Sequence, residues 1–242
     1  MRTAIITGAT RGIGRGIAAR LASQGTNIAT IYHADEASAD ALKRLCEEKR
    51  SPLFIERLDV RDFGRIPGFV GRVAERFGMI DYLVNNVGAD IFKTIDEVSF
   101  DEWKASQDLI LNAPFIFCKE VLPHMRKARF GRIINIGASS RDYIKGQPGL
   151  GPFAVHKAAL TVLTKTLALE EIGNGITVNM VAPGSTARAG TTPEELRIPV
   201  EGIPIGRRVE IEEVVEAVMY FLSEAAGSTT GQFIGVNGGL ST

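Results

Sequence analysis

A glycine-rich turn near the start of the chain is the feature that most restricts its fold. Residues 7–14 read TGATRGIG and join an apolar, β-branched run to a segment where Ile13, Ile17 and Leu21 recur at helical spacing. Glycine lets the backbone turn tightly and present free amides at the positive end of a helix, where a diphosphate binds. Strand, turn and helix in this order predict a dinucleotide-binding unit rather than a plain tight turn. The residues predicted to contact the dinucleotide here are Gly8, Thr10, Arg11, Gly12, Ile13 and Gly14.

Short apolar runs alternate with helical stretches along the rest of the chain. The runs predicted to be buried strands are residues 3–7, 27–32, 53–58, 80–84, 132–136, 176–181 and 232–236. Apolar side chains recur at helical spacing in two further segments, at Leu160, Leu163, Leu167 and Ile172 and at Val214, Val215, Val218 and Leu222. This alternation predicts an α/β fold, a doubly wound parallel sheet of the Rossmann type with about seven strands and helices on both faces. We expect one domain over residues 1–242.

One long stretch, residues 183–206, lacks any periodicity and is rich in Gly, Pro and Thr. A loop of this length inside a compact domain is usually functional or disordered. The stretch begins where the sixth predicted strand ends, and doubly wound sheets bind ligands beyond the carboxyl ends of their strands. We expect it to cover a substrate.

Composition excludes several classes of function. The chain has 242 residues with 28 basic and 28 acidic side chains, so it offers no basic stripe for a nucleic-acid partner. Its longest apolar runs are shorter than the roughly 20 residues that a membrane helix needs, and we expect no membrane partner. Cys46 and Cys118 are too few for a disulfide framework or a zinc site, so we expect no metal and a reducing, cytoplasmic location.

The end of the second predicted strand indicates which dinucleotide binds. A carboxylate at this point accepts hydrogen bonds from a ribose 2′-hydroxyl and repels a 2′-phosphate. The strand ends in Tyr32 and His33, and Asp35 comes later, so no carboxylate stands at its tip. Arg11 in the glycine turn can grip a phosphate through a bidentate guanidinium, unless it is only a solvated surface charge. The sequence therefore favours NADP(H) over NAD(H), with His33 beside the ribose.

At this point the chain resembles the short-chain dehydrogenase/reductase family over essentially its whole length. The turn is similar to the family's TGxxxGxG, residues 85–88 read NNVG where the family has NNAG, and residues 236–239 read VNGG. Residues 203–207, IPIGR, are similar to the 3-oxoacyl carrier-protein reductases. The resemblance implies further cofactor contacts at Asp59, Val60, Asn86, Gly88, Lys157, Pro183, Gly184 and Thr186. Plain structural alternatives stay open, because Asn85 and Asn86 can cap a turn and Asp59 can cap a helix near residue 62.

The family's catalytic pattern is altered in this chain. The resemblance implies a Tyr-x-x-x-Lys pair one helical turn apart, in which the lysine lowers the tyrosine pKa for proton exchange with the substrate oxygen. Here the pair is Phe153 and Lys157, so the tyrosine position carries no proton. Losing a positioned general acid costs about 10²–10⁴ in rate. The resemblance also places the catalytic asparagine at Asn112 and keeps Lys157 for the nicotinamide ribose.

Other residues near this pair are candidates for the missing proton donor. The family serine falls at Ala138 when counted forward from the fifth strand and at Ser140 when counted back from Phe153, and Ser139 is also near. Tyr143 lies in the same loop and can act as a relocated acid, or can simply pack or face water. His156 is about 100° around the helix from Lys157 and is expected at a subunit contact instead.

Together these residues predict an NADP(H)-dependent oxidoreductase that reduces a carbonyl of the 3-oxoacyl or small-ketone type with an atypical or disabled acid. An engineered Phe153 in an ordinary reductase would give the same sequence. The alternative is a non-reductive protein that holds the dinucleotide as a structural or regulatory ligand, and dehydration or isomerisation is a third possibility. The resemblance further implies a homotetramer built through two helices, over residues 99–126 and 153–172. Arg188 replaces the family's usual threonine and indicates either an anionic substrate or a surface charge on the covering loop.

Overall fold

Seven parallel strands form one sheet in the order β3-β2-β1-β4-β5-β6-β7. The computed structural model describes residues 1–89, 91, 93–138, 148–188, 190–196 and 198–240. The strands are β1 (Thr3–Thr7), β2 (Asn27–Tyr32), β3 (Leu53–Arg57), β4 (Tyr82–Asn85), β5 (Gly131–Ile136), β6 (Ile176–Pro183) and β7 (Phe233–Val236). Every predicted strand is confirmed, with ends that differ by at most two residues, and the doubly wound parallel topology is confirmed as well.

Helices cover both faces of this sheet, as the sequence predicts. They are α1 (Gly12–Ser23), α2 (Glu36–Glu48), α3 (Ile66–Phe77), α4 (Phe100–Gln107), α5 (Ala113–Ala128), α6 (Gly151–Glu171), α7 (Pro193–Leu196) and α8 (Ile211–Leu222). One apolar core contains Phe69 of α3 and Phe117 of α5, and the core on the opposite face contains Ile17 of α1, Leu42 of α2 and Val215 of α8. Because all the strands are parallel, their carboxyl ends lie along one edge of the sheet between these two layers.

A π-helical turn, Asp108–Asn112, interrupts the segment between α4 and α5. Pro114 stands in the first turn of α5, and proline has no N–H to donate to the turn before it. The backbone takes the wider hydrogen-bonding pattern at this point, as π turns inside helices commonly do near functional sites. The predicted helix over residues 99–126 is therefore two helices, and the turn between them contains Asn112.

The segment after β6 is irregular except for the four residues of α7. It is held to the sheet at two places. The amide of Gly184 donates to the Val236 carbonyl oxygen at 2.8 Å, and the amide of Ile205 donates to the Gly238 carbonyl oxygen at 2.9 Å. The predicted covering stretch thus lies over the carboxyl ends of β6 and β7. No helix in the described part of the chain is long and apolar enough to cross a membrane.

Candidate functional site

The site begins where strand order reverses, because β1 pairs with β2 on one side and with β4 on the other. A crevice opens there beyond the carboxyl ends of the strands, and the glycine turn follows β1 directly into it. Gly8 and Gly12 have left-handed backbones, with φ of 69° and 54°. A Cβ on Gly14 would lie 2.4 Å from the Gly8 carbonyl oxygen. Only glycine fits at position 14, so helix and turn approach each other as a dinucleotide turn requires.

Asn86 ties the glycine turn to β4. Its side-chain amide donates to the carbonyl oxygens of Thr7 at 3.0 Å and of Gly8 at 3.3 Å. Its own backbone amide donates to the Thr7 hydroxyl at 3.0 Å. Asn86 therefore does more than cap the turn after β4, because its hydrogen bonds also hold the glycine turn after β1.

The amino end of α1 points into this crevice without a side-chain cap. Arg11 occupies the capping position with an extended backbone and makes no capping hydrogen bond. The first amides of a helix have no partner within the helix, and they carry a partial positive charge. Thr10 is buried and Arg11 is exposed beside this end, so the turn can present amides and a guanidinium to one anion.

Both carboxylates that follow β2 are used within the chain. Asp35 caps α2 and accepts from the amide of Ser38 at 3.0 Å and from its hydroxyl at 2.7 Å, and these bonds, with a smaller contribution from Arg11, lower the Asp35 pKa. Glu36 pairs with Arg57, with 3.3 Å between carboxylate oxygen and guanidinium nitrogen. Neither acid stands as a free acceptor at the tip of β2, in agreement with the sequence interpretation.

Asp59 follows β3 at the carboxyl edge of the sheet. The guanidinium of Arg61 donates to both of its carboxylate oxygens, at 3.0 and 2.6 Å, and this contact lowers the Asp59 pKa to about 2. The exposed ring of His33 lies 3.6 Å from the same carboxylate. Asp59 also accepts from the Arg61 amide, so it stabilises a local turn, and α3 begins only at Ile66. The alternative of a helix cap near residue 62 is wrong.

Lys157 is the buried cation of the site. Its side chain is 6% exposed, and Nζ donates to the carbonyl oxygen of Ile136, the last residue of β5, at 2.5 Å. A Cβ on Gly88 would lie 3.5 Å from this Nζ. Nζ is also 5.7 Å from the centre of the Phe153 ring, one turn earlier on α6. The ring offers a cation–π contact and no hydroxyl.

The remaining catalytic candidates are only partly visible. Ser139, Ser140 and Tyr143 lie outside the described residues, and Ala138 is the last described residue before them. Asn112 lies in the π turn, where its side-chain amide donates to the Asp108 carboxylate at 2.7 Å. Its amide is thus used within its own turn.

His156 packs inside its own chain and not at a subunit contact as expected. Nδ1 lies 3.0 Å from the Ser106 hydroxyl, and the ring stacks edge-on against Trp103 with centroids 4.7 Å apart. Burial lowers the His156 pKa. The ring holds α6 against α4, on a different side of α6 from Lys157.

A chain of buried polar groups beneath the site was missed by sequence reasoning. The side-chain amide of Asn85 donates to Oδ1 of Asn135 at 2.9 Å, and Nδ2 of Asn135 donates to the Thr164 hydroxyl at 2.8 Å. The Thr164 hydroxyl in turn donates to the Leu160 carbonyl oxygen at 2.8 Å. This chain links β4, β5 and α6, the elements that position Asn86 and Lys157. An asparagine in the apolar run RIINI is the sequence signal that could have revealed it.

The two glycine motifs at the end of the chain meet each other. A Cβ on Gly184 would lie 2.8 Å from the Cα of Asn237, so Pro183-Gly184 packs directly on residues 236–239. Thr186 donates from its hydroxyl to the Gly184 carbonyl oxygen at 3.0 Å. The predicted contacts Pro183, Gly184 and Thr186 thus lie at the carboxyl edge of the sheet.

Fold and site together define a doubly wound α/β protein with a dinucleotide-type glycine turn and a buried lysine at the strand ends. A family model described as enoyl-(acyl carrier protein) reductase matches residues 8–241. The chain belongs to the short-chain dehydrogenase/reductase family of oxidoreductases.

Individual relatives extend this comparison over the whole chain. The putative oxidoreductase YtkK of Bacillus subtilis is 34% identical over 246 residues, covering 99% of this chain and 96% of that protein. The 3-oxoacyl-[acyl-carrier-protein] reductase FabG of Haemophilus influenzae is 36% identical over 242 residues, covering 99% and 98%. The crystal structure of acetoin dehydrogenase YohF from Salmonella typhimurium superposes with a TM-score of 0.90 at 31% identity, covering 99% of this chain and 95% of the other.

Proposed function

We propose that the protein binds NADP(H) in the crevice and reduces a small-molecule carbonyl, of the 3-oxoacyl or small-ketone type, with an atypical or disabled proton donor. The observation that carries the proposal is the buried Lys157 ammonium, held by the Ile136 carbonyl oxygen at the edge that the glycine turn also reaches. Burying an ammonium is costly, and buried charges in clefts are typical of functional sites.

The residues present fit such a cofactor. Position 14 accepts only glycine, no side chain caps α1, and the acids after β2 are used elsewhere. The turn residues would hold the diphosphate, and Arg11 with His33 would hold the 2′-phosphate. Asp59 would bind at the adenosine end with Val60, and Lys157 with Gly88 would lie at the nicotinamide end. A bound nicotinamide supplies a hydride to the carbonyl carbon.

The protein itself must then orient the carbonyl and protonate its oxygen. Lys157 keeps a positive charge beside the strand ends, which stabilises negative charge that develops on the substrate oxygen. Phe153 has no proton to give, so the proton must come from Ser140, Tyr143 or water near Asn112. Without one of these groups, the protein would still bind the dinucleotide but could not protonate the substrate oxygen.

Fluorescence titration with NADPH and NADH, followed by panels of ketones and 3-oxoacyl thioesters, tests this function. We expect micromolar NADPH binding, weaker NADH binding, and slow turnover that rises at least about 100-fold in Phe153→Tyr. Phe100→Tyr, which adds a hydroxyl at an exposed site on α4, is the matched control. The reductase function is wrong if NADPH stays unoxidised in Phe153→Tyr with every substrate.

Arg11→Ala tests the choice of cofactor. We expect NADPH affinity to fall about tenfold with NADH affinity unchanged, because a guanidinium–phosphate contact is charge-assisted. Arg44→Ala on α2 removes another exposed guanidinium and serves as the control. Equal loss for both dinucleotides would refute the phosphate role.

A second candidate function is non-reductive. Phe153 packs where the resemblance predicts tyrosine, and Lys157 already donates to Ile136, so the pair is complete as a structural unit. In this case NADPH stabilises the fold without being consumed. Tight NADPH binding, a large rise in Tm on binding and no gain of turnover in Phe153→Tyr would favour this candidate.

We also propose a homotetramer. Val155, Val162 and Leu169 occupy every seventh position of α6 and stay 49%, 65% and 81% exposed, which is unusual for large apolar side chains on one helix face. Phe115 on α5 is exposed as well. Light scattering of the full chain tests the assembly, and a cytoplasmic location stays a prediction.

A further inference from the structure

The segment that covers the carboxyl edge of the sheet contains a cavity of about 360 Å³. This volume lies within the range of small-ligand sites. The residues that line it are Arg188, Thr191, Glu195, Leu196, Ile198, Val200 and Arg208. We call it the arginine cavity, because two guanidiniums line its wall.

A short parallel bridge brings these two arginines together. The amide of Ala187 donates to the Val209 carbonyl oxygen at 2.8 Å, and the Val209 amide donates to the Ser185 carbonyl oxygen at 2.9 Å. Arg188 directly follows one arm of this bridge, and Arg208 directly precedes the other. Their placement is thus fixed by backbone hydrogen bonds and not by chance contact on the surface.

The charges in the cavity do not cancel. Arg207 is held by the Glu213 carboxylate at 2.8 Å, whereas neither Arg188 nor Arg208 forms an ion pair with any residue in the described ranges. Glu195 is the only acid among the lining residues, and its carboxylate accepts from the Thr192 amide at 2.8 Å. The cavity therefore keeps an excess of positive charge that suits an anion.

The rest of the wall is aliphatic. Leu196, Ile198 and Val200 line the cavity, and the Ile198 side chain is 60% exposed. An exposed isoleucine beside two guanidiniums matches a ligand that has both an anionic group and a short hydrocarbon chain. Arg188 lies five residues after the end of β6 and two after Thr186, on the segment that covers the carboxyl edge of the sheet.

We propose that the arginine cavity binds the carboxylate of an aliphatic oxo acid, which makes Arg188 and Arg208 specificity-determining residues. The inference rests on the proposed function, because it names the substrate class of that same site. A carboxylate accepts from both guanidiniums while its chain covers Ile198 and Val200. Neutral ketones and esters lack the group that these donors select.

Isothermal titration calorimetry with hexanoate and hexanamide tests the cavity apart from any chemistry, with and without saturating NADP⁺. We expect hexanoate to bind and hexanamide to bind at least tenfold more weakly. Arg188→Gln and Arg208→Gln should each weaken hexanoate about tenfold, because hydrogen bonds to charged groups are strong. Arg44→Gln on α2 is the matched control and should change nothing. Glu195→Gln should tighten hexanoate binding, since it removes the one negative charge of the wall.

Equal affinity for the acid and the amide, no hexanoate binding in either state, or variants that behave like Arg44→Gln would each overturn the proposal. Turnover of 4-oxopentanoate and of its methyl ester by Phe153→Tyr then distinguishes failure of the cavity proposal from failure of the reductase function. If the variant reduces neutral ketones while hexanoate fails to bind, the cavity proposal alone is wrong. If hexanoate binds as expected and nothing is reduced, the reductase function is wrong, and with it the specificity role of the arginines, while carboxylate binding by the cavity stands.

Discussion

The Nζ of Lys157 lies 2.5 Å from the carbonyl oxygen of Ile136, so the ammonium on α6 donates to the last residue of β5. This bond crosses from helix to strand at the carboxyl edge of the sheet. It holds the cation in place even though Phe153, one turn earlier, offers only a ring face. The position of Lys157 thus does not depend on a tyrosine hydroxyl.

Lys157→Met tests what this ammonium does. Methionine keeps the length of the side chain and loses the charge and the donors. We expect NADPH affinity to fall about tenfold, the value of one charge-assisted hydrogen bond, and Phe153→Tyr to lose its turnover in this background. Fluorescence titration and NADPH oxidation measure both effects. Lys165→Met, on the exposed side of the same helix, should leave both unchanged. Full activity in the double variant would exclude Lys157 from the reaction.

Gly14→Ala tests the close approach in the glycine turn. The new Cβ would lie 2.4 Å from the Gly8 carbonyl oxygen, so helix and turn must separate. We expect the free energy of unfolding to fall by about 1–3 kcal/mol and NADPH binding to be lost. Gly71→Ala on α3 meets no atom within 4 Å and should instead stabilise the fold by about 0.5–1 kcal/mol. Urea denaturation compares the two, and equal effects would contradict the close approach.

Local patterns explain which parts of the fold are predictable. All seven strands and the glycine turn follow from short apolar runs and turn residues, which depend on neighbouring positions in the chain. The helices α2 and α3 are not among the predicted elements, although Leu42 and Cys46 in one and Phe69 and Val73 in the other recur at helical spacing.

Contacts that depend on sheet order are not visible in the sequence. The pairing of Asn85 with Asn135 requires β4 and β5 to be neighbours, and the meeting of Arg188 with Arg208 requires the bridge at Val209. Ser140 and Tyr143 lie outside the described residues, so the identity of the proton donor stays a prediction.

The buried polar chain predicts a contrast between two substitutions. Asn135→Leu removes both the acceptor for Asn85 and the donor to Thr164, and should cost about 1–3 kcal/mol of unfolding free energy. The hydroxyl of Thr177 is also buried but has no hydrogen-bond partner in the described part of the chain. Thr177→Val should therefore be neutral or stabilising. Urea denaturation measures both, and a larger loss in Thr177→Val would contradict this account.

His156 predicts how stability depends on pH. Burial between Trp103 and Ser106 lowers its pKa below the value of about 6.5 that histidine has in an unfolded chain. Between these two pKa values the unfolded chain binds more protons than the folded chain, so stability falls as the pH falls below about 6.5. At higher pH the ring is neutral in both states, and this contribution to the pH dependence disappears.

Urea denaturation between pH 5 and 8 measures this dependence, and His156→Gln removes the titrating ring while keeping a polar side chain next to Ser106. We expect the free energy of unfolding of the wild type to drop toward pH 5 by up to about 1.4 kcal/mol for each pH unit, and the curve of the variant to be flatter. Parallel curves for the wild type and the variant would show that a group other than His156 takes up the proton. A wild type that gains stability toward pH 5 would mean that the folded chain stabilises the charged ring, against the burial seen between α4 and α6.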